Sequence, residues 1–182
     1  MSQRVYIDNS VIGGLFDDEF SFVTKKLFKE FYRGTYIPVI SSVSLQEIKG
    51  APKKVISFLS SFRSKTNILQ LTEEAVELSK NYLKEGKFTA RMLVDTLHVA
   101  IATVNNVGII ASWNFHDIVN LDKIRVYNAV NIMHGFQTVE IRSPREIVHE
   151  EKIWQRAISE KKKNRFVQKT DQQTTCWYYT FF

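Results

Sequence analysis

The chain has 182 residues, 44% of them hydrophobic, a formal net charge of +6 and a single cysteine, Cys176. That is enough apolar material for one domain with a full core; one cysteine excludes an internal disulfide framework and fits a reducing cytoplasm. No apolar run approaches the ~18 residues of a membrane span, and Met1-Ser2-Gln3-Arg4 leads into a strand pattern rather than the apolar core of a signal peptide, so a soluble cytoplasmic protein is expected.

In chain order, Arg4-Val5-Tyr6-Ile7 alternates as a strand does, and Asp8-Asn9-Ser10 breaks it. A helix is predicted from Phe22 to about Arg33, with Ser21 as its cap, Val23, Leu27, Phe28 and Phe31 as its buried stripe and Gly34 as its stop. A second strand covers Ile37 to Ser41, and helical spacing follows from about Val43 to Lys49 and again from Lys53 to Phe62. After the short apolar Ile68-Leu69-Gln70-Leu71, Thr72 reads as an N-cap with Glu73 and Glu74 in the favourable first turn, and Gly86 ends that helix. Leu93, Leu97, Ala100, Ile101 and Val104 recur at helical spacing and predict a helix over about 89–105. Gly108 to Ser112 reads as a strand, Leu121 to His134 as a helix stopped by Gly135, and Val139 to Arg142 as a last strand. Ser143-Pro144-Arg145-Glu146 combines a capping box with proline at the first helical position. Strands alternating with helices imply an α/β fold: three α/β/α layers around a short, mostly parallel sheet, with sites at the carboxyl ends of its strands.

The charge is unevenly spread. Residues 151–182 hold seven basic side chains against three acids, so a domain over 1–150 is followed by a basic tail that reads as mobile. Its lysines and arginines suit nonspecific phosphate contacts, while its terminal Trp177-Tyr178-Tyr179 suits docking on the domain or a partner. No internal repeat and no glycine-rich phosphate loop is present, and the four histidines do not make the HxxxH spacing of a zinc site.

Asp95 lies inside the apolar run Met92 to Ala102, where a carboxylate is costly unless something pairs with it. A bound cation is the partner that also confers chemistry. Asp8 ends the first strand and Glu47 follows the second, so three acids distant in sequence each stand where sheet meets helix. Two carboxylates ~4 Å apart repel by roughly 4 kcal/mol at a surface-like dielectric, so such a cluster implies a cation or raised pKa values. Each acid also has a structural reading. Ser44 to Glu47 matches a capping box, Asp8 suits an Asx-turn, and Asp95 could be neutralised by a lysine or by His98 one turn away.

Taken together, Val5-Tyr6-Ile7-Asp8-Asn9-Ser10-Val11, Ser41 to Ile48, Asp95-Thr96-Leu97-His98-Val99-Ala100-Ile101-Ala102 and Ser112-Trp113-Asn114-Phe115 resemble, in order and placement, the PIN-domain ribonucleases, most closely the VapC-like group of toxin–antitoxin systems. The resemblance covers about residues 4–148. It implies Mg2+ or Mn2+ held by Asp8, Glu47 and Asp95, RNA as substrate, hydrolysis of phosphodiester bonds, restraint by a small antitoxin protein, and a possible homodimer. Many members carry another aspartate where Asn114 stands; Asn114 and Ser10 are then water-orienting groups, and Asp117 is the other candidate for the fourth place. Trp113 suits either stacking on a base or anchoring the core. Two other readings stand beside this one: a PIN-like module that binds RNA or protein with little or no cleavage, favoured by the neutral Asn114, and a phosphatase of small phosphoesters.

Overall fold

The computed structural model describes residues 2–148; the basic tail assigned to 151–182 lies outside the described residues. Five short strands form one sheet in which every pairing is parallel: β1 (Gln3–Ile7), β2 (Tyr36–Ser41), β3 (Asn67–Leu69), β4 (Ile109–Ala111) and β5 (Glu140–Arg142), in the order β3-β2-β1-β4-β5. Helices α1 (Asn9–Gly13) and α2 (Ser21–Arg33) connect β1 to β2, and α3 (Ser42–Glu47) and α4 (Lys53–Phe62) connect β2 to β3. Helices α5 (Glu73–Glu85) and α6 (Leu93–Val104) connect β3 to β4, and α7 (Leu121–Met133) connects β4 to β5. None of these helices is long and apolar enough to cross a membrane.

The strand pleat divides the core between two faces. Tyr6, Val39, Ile110 and Ile141 join Leu78, Tyr82, Val99, Ile101 and Tyr127 from α5, α6 and α7 in one buried cluster. Val5 and Ile7 point by alternation to the opposite face, where α2 packs on β2 and the rings of Phe28, Phe31, Phe58 and Phe62 join α2 to α4. The α/β/α layering expected from the sequence is therefore present, with a wholly parallel sheet. Because β2 and β3 lie on one side of β1 and β4 and β5 on the other, the chain changes direction between β1 and β4. A crevice at the carboxyl ends of strands is expected at that point. The register Val5↔Ile109, Tyr6↔Ile110, Ile7↔Ala111 sets the residue after β1, Asp8, beside the residue after β4, Ser112.

Several local expectations are corrected. Ser21 is the first helical residue of α2 and not its cap, Phe20 holds the cap position, and Asp17 accepts the free N–H groups of Glu19 and Phe20. Thr24 is buried in place of Val23, which is half-buried. The predicted helix from 89 begins as a 3₁₀ turn, Ala90–Met92, and α6 is rotated so that Leu93 and Val94 are 44% and 38% exposed while Thr96, His98 and Val99 are buried. Ser143 and Glu146 do form their reciprocal cap, with Glu146 Oε2 accepting from the Ser143 N–H at 2.7 Å. The left-handed backbone at Gly34 and Gly135, φ +76° and +78°, ends α2 and α7 as expected.

Candidate active site

Asp8 caps α1 by accepting the Val11 N–H at 3.2 Å, and its carboxylate also accepts from Ser10 Oγ at 2.6 Å and Ser112 Oγ at 2.7 Å. The Asx-type role and the site role thus fall on one residue. It is 4% exposed. Burial pushes its carboxyl pKa up; the Ser10, Ser112 and Val11 donors and the charge of His98 act the other way without cancelling it.

The segment after β4 joins Asp8 to Asp95. Ser112 Oγ donates to Asp8 and accepts the Asn114 N–H at 2.9 Å, while Asn114 Nδ2 donates to Asp95 Oδ1 at 3.0 Å. Ser10 closes the same loop by accepting the Trp113 N–H at 2.8 Å. Asp95 stands in the first turn of α6, half-buried and not in the core, which corrects the premise that singled it out. Its carboxyl pKa is raised by burial and by the nearby charges of Asp117 and Asp8, against the opposing effects of His98 and Asn114. Negative charges that raise the pKa of a neighbouring acid make the potential that a cation relieves.

Asp117 is tied elsewhere. Burial pushes its carboxyl up, but the hydrogen bonds and charges of Lys123 and His116 outweigh this and hold it below the usual range; its N–H is in turn accepted by Asn114 Oδ1 at 3.0 Å. Asn114→Ala is therefore expected to lower activity by about tenfold or more, as loss of a group that orients a ligand does. Asp117→Ala is expected to cost ~0.5–1 kcal/mol of stability with a smaller effect on turnover. Steady-state cleavage by the two variants checks the order; an inactive Asp117→Ala beside a normal Asn114→Ala reverses the assignment.

Glu47 ends α3 with its side chain 39% exposed. The capping box lies one turn earlier than expected, between Ser41 and Ser44, which frees Glu47 from that role. Its Oε2 accepts from Asn9 Nδ2 at 2.7 Å and meets His98 Nε2 at 2.8 Å. Asn9 and Glu47 border a hollow of about 350 Å3 with Gly13, Ile48 and Pro52. His98, considered from sequence as a neutraliser of Asp95, bonds Glu47 directly and acts on Asp95 only through its charge.

Among the described residues, no three His, Cys, Asp or Glu side chains are gathered as the cage of one ion. Magnesium needs no such cage, since it binds through one or two carboxylates and keeps several waters. The oxygens around Asp8 and Asp95 are those of carboxylates and of the Ser10 and Ser112 hydroxyls, a hard set that fits Mg2+ or Mn2+ better than a thiophilic metal. Trp113 is 7% exposed, stacked on Phe20 at 4.5 Å and bonded through Nε1 to Thr24 Oγ1 at 3.0 Å, so it anchors the core. Sequence reasoning passed over Ser112, Asn9 and Tyr6 as site residues. Only the adjacency of Asn9 to Asp8 and the Ser112-x-Asn114 spacing hinted at two of them.

No family model and no curated protein matches the chain. Among solved structures, a chain of a toxin-antitoxin complex from Klebsiella pneumoniae matches with TM-score 0.51 and 18% identity, over 65% of this chain and 93% of that one. A chain of VapBC2 from Rickettsia felis, bound to a DNA fragment from the promoter, matches with TM-score 0.53 and 12% identity, over 78% of this chain and 98% of that one. A chain of FitAB bound to an IR36 DNA fragment matches with TM-score 0.50 and 13% identity, over 78% and 95%. At such identities the likeness establishes architecture: the chain has the PIN-like α/β fold found in these VapBC and FitAB structures, the fold that its sequence motifs resemble.

Proposed function

We propose that the protein is a Mg2+- or Mn2+-dependent endoribonuclease, the toxin of a toxin–antitoxin pair. The observation that carries this reading is the hydrogen-bonded line from Asp8 through Ser112 and Asn114 to Asp95, at the point where the strand order reverses. Asp8 and Asp95 supply the charge that would hold the ion, with Glu47 at the rim. When bound, the ion polarises a phosphodiester and makes water a better nucleophile at neutral pH. The chain's own residues do the positioning. Ser10 and Ser112 hold both Asp8 oxygens, and Asn114 fixes Asp95 while remaining uncharged.

The matched Klebsiella pneumoniae structure is a toxin-antitoxin complex by name, which supports a small antitoxin partner. A cytoplasmic location belongs to the same reading. The neutral Asn114 favours the second reading, an RNA- or protein-binding module that does not cleave.

Incubating end-labelled RNA with the purified chain and Mg2+, Mn2+ or EDTA separates the readings. Internal cleavage is expected with either cation and none with EDTA. RNA retained uncut under all three conditions favours the binding module, and preferential hydrolysis of mononucleotides or sugar phosphates favours a phosphatase.

A further inference from the structure

The arrangement of Glu47 is more constrained than an exposed rim carboxylate requires. His98, 3% exposed, lies between Glu47 and the strand: its Nε2 is 2.8 Å from Glu47 Oε2 and its Nδ1 is 2.7 Å from the Tyr6 hydroxyl. Tyr6 is fully buried and bonds Ser41 Oγ at 2.7 Å, the residue that caps the helix on which Glu47 sits. A second donor, Asn9 Nδ2, reaches the same Oε2 at 2.7 Å.

One donor, Asn9, is the neighbour of Asp8, and the other, His98 on α6, rests against Tyr6 of β1. Tyr6 is two residues before Asp8, and Asn9 is the next residue after it. Glu47 is thus referenced from two directions to the strand end that carries Asp8. The orientation of the Asn9 amide adds an independent observation. Its Oδ1 is buried without a hydrogen-bond partner among the described residues, an arrangement that costs stability. Turned over, the amide would aim that oxygen at a carboxylate oxygen, so Glu47 alone sets the orientation. With Oε2 taken by two donors, Oε1 is the Glu47 oxygen left to face an ion or its water.

We propose that His98 is a positioning residue which, together with Asn9, clamps Glu47 Oε2 and so sets the place of Glu47 Oε1 relative to Asp8. This rests on the metal-dependent reading above. Outer partners that orient ligating carboxylates affect metal affinity by about 10–100-fold.

The test is a double-mutant cycle on the full chain, read as the affinity for Mn2+ alone by titration calorimetry, with melting temperature in EDTA as the folding control. His98→Ala is expected to weaken Mn2+ binding about tenfold, and Glu47→Gln to weaken it at least as much. Combining them should be no worse than Glu47→Gln alone, because His98 acts through Glu47. His98→Gln, which keeps an N–H donor, should recover part of the loss. If His98→Ala does not fold, Asn9→Ala answers the same question from the half-buried side of the clamp, and its loss must likewise vanish in the Glu47→Gln background. Wild-type affinity in His98→Ala, or in Asn9→Ala where that variant stands in, overturns the clamp and leaves the metal reading intact, as do losses that add to that of Glu47→Gln. A wild-type chain that binds no Mn2+ overturns both.

Discussion

Asp95→Asn and Asp8→Asn are each expected to reduce RNA cleavage by more than about 100-fold, beyond the upper end of what losing an outer partner of a ligand causes, while the protein stays folded. The amide keeps the shape of the carboxyl group and removes the charge that holds the cation. At Asp8 the amide oxygen can keep the bonds from Ser10 Oγ and the Val11 N–H, while the Ser112 hydroxyl rotates to accept from the new Nδ2. Stability should move in the opposite direction to activity. Both carboxyl groups have raised pKa values in the folded chain, so the folded state holds their protons more tightly than the unfolded state does. Their contribution is fully present below the unfolded aspartate value of about 3.9 and is lost as pH rises through the folded value. In EDTA the wild-type melting temperature should therefore fall across that window, and Asp8→Asn should lack part of the fall and melt higher at neutral pH. An Asp95→Asn chain with full cleavage removes Asp95 from the site.

Trp113→Ala is expected to cost ~3–5 kcal/mol of folding stability, the usual range for deleting a buried aromatic side chain. The ring fills the space above Gly14, where an added Cβ would come within 2.9 Å of Trp113 Cδ1, and it stacks on Phe20 while bonding Thr24. Trp113 also lies between Ser112 and Asn114, the two residues that join Asp8 to Asp95, so cleavage should fall with stability. Urea denaturation measures the first effect and cleavage at low temperature the second. A loss below ~1 kcal/mol would show that the loop is held in place by its hydrogen bonds without the ring.

The order and type of the elements were legible because the local signals agree with the tertiary structure. Thr72 caps α5, Gly34 and Gly135 end α2 and α7, and Lys53–Phe62 is helical over its predicted span. The start of α6 was not legible. Leu93 fits the helical stripe by spacing, but the helix starts from a 3₁₀ turn at Ala90–Met92 and Leu93 is exposed. Asp95 was therefore chosen for a burial that it only half has, and it belongs to the candidate site because it meets Asn114. The roles of Glu47 and His98 were hidden for another reason. Their contact spans 51 residues of sequence, and Ser44 to Glu47 matches the capping-box pattern while the box that forms, Ser41 with Ser44, lacks its usual Glu or Gln. Which one forms depends on how β2 enters α3, a tertiary matter.

The most direct measurement is the position of Mn2+ by its anomalous scattering in crystals of the protein grown or soaked with the ion. The account predicts a peak within ligand distance, ~2.0–2.2 Å for an ion of this class, of a carboxylate oxygen of Asp8 or Asp95, with the other acid bound directly or through water. A peak only at surface acids such as Glu73 or Glu140, or no peak in crystals with Mn2+ well above millimolar concentration, would contradict it.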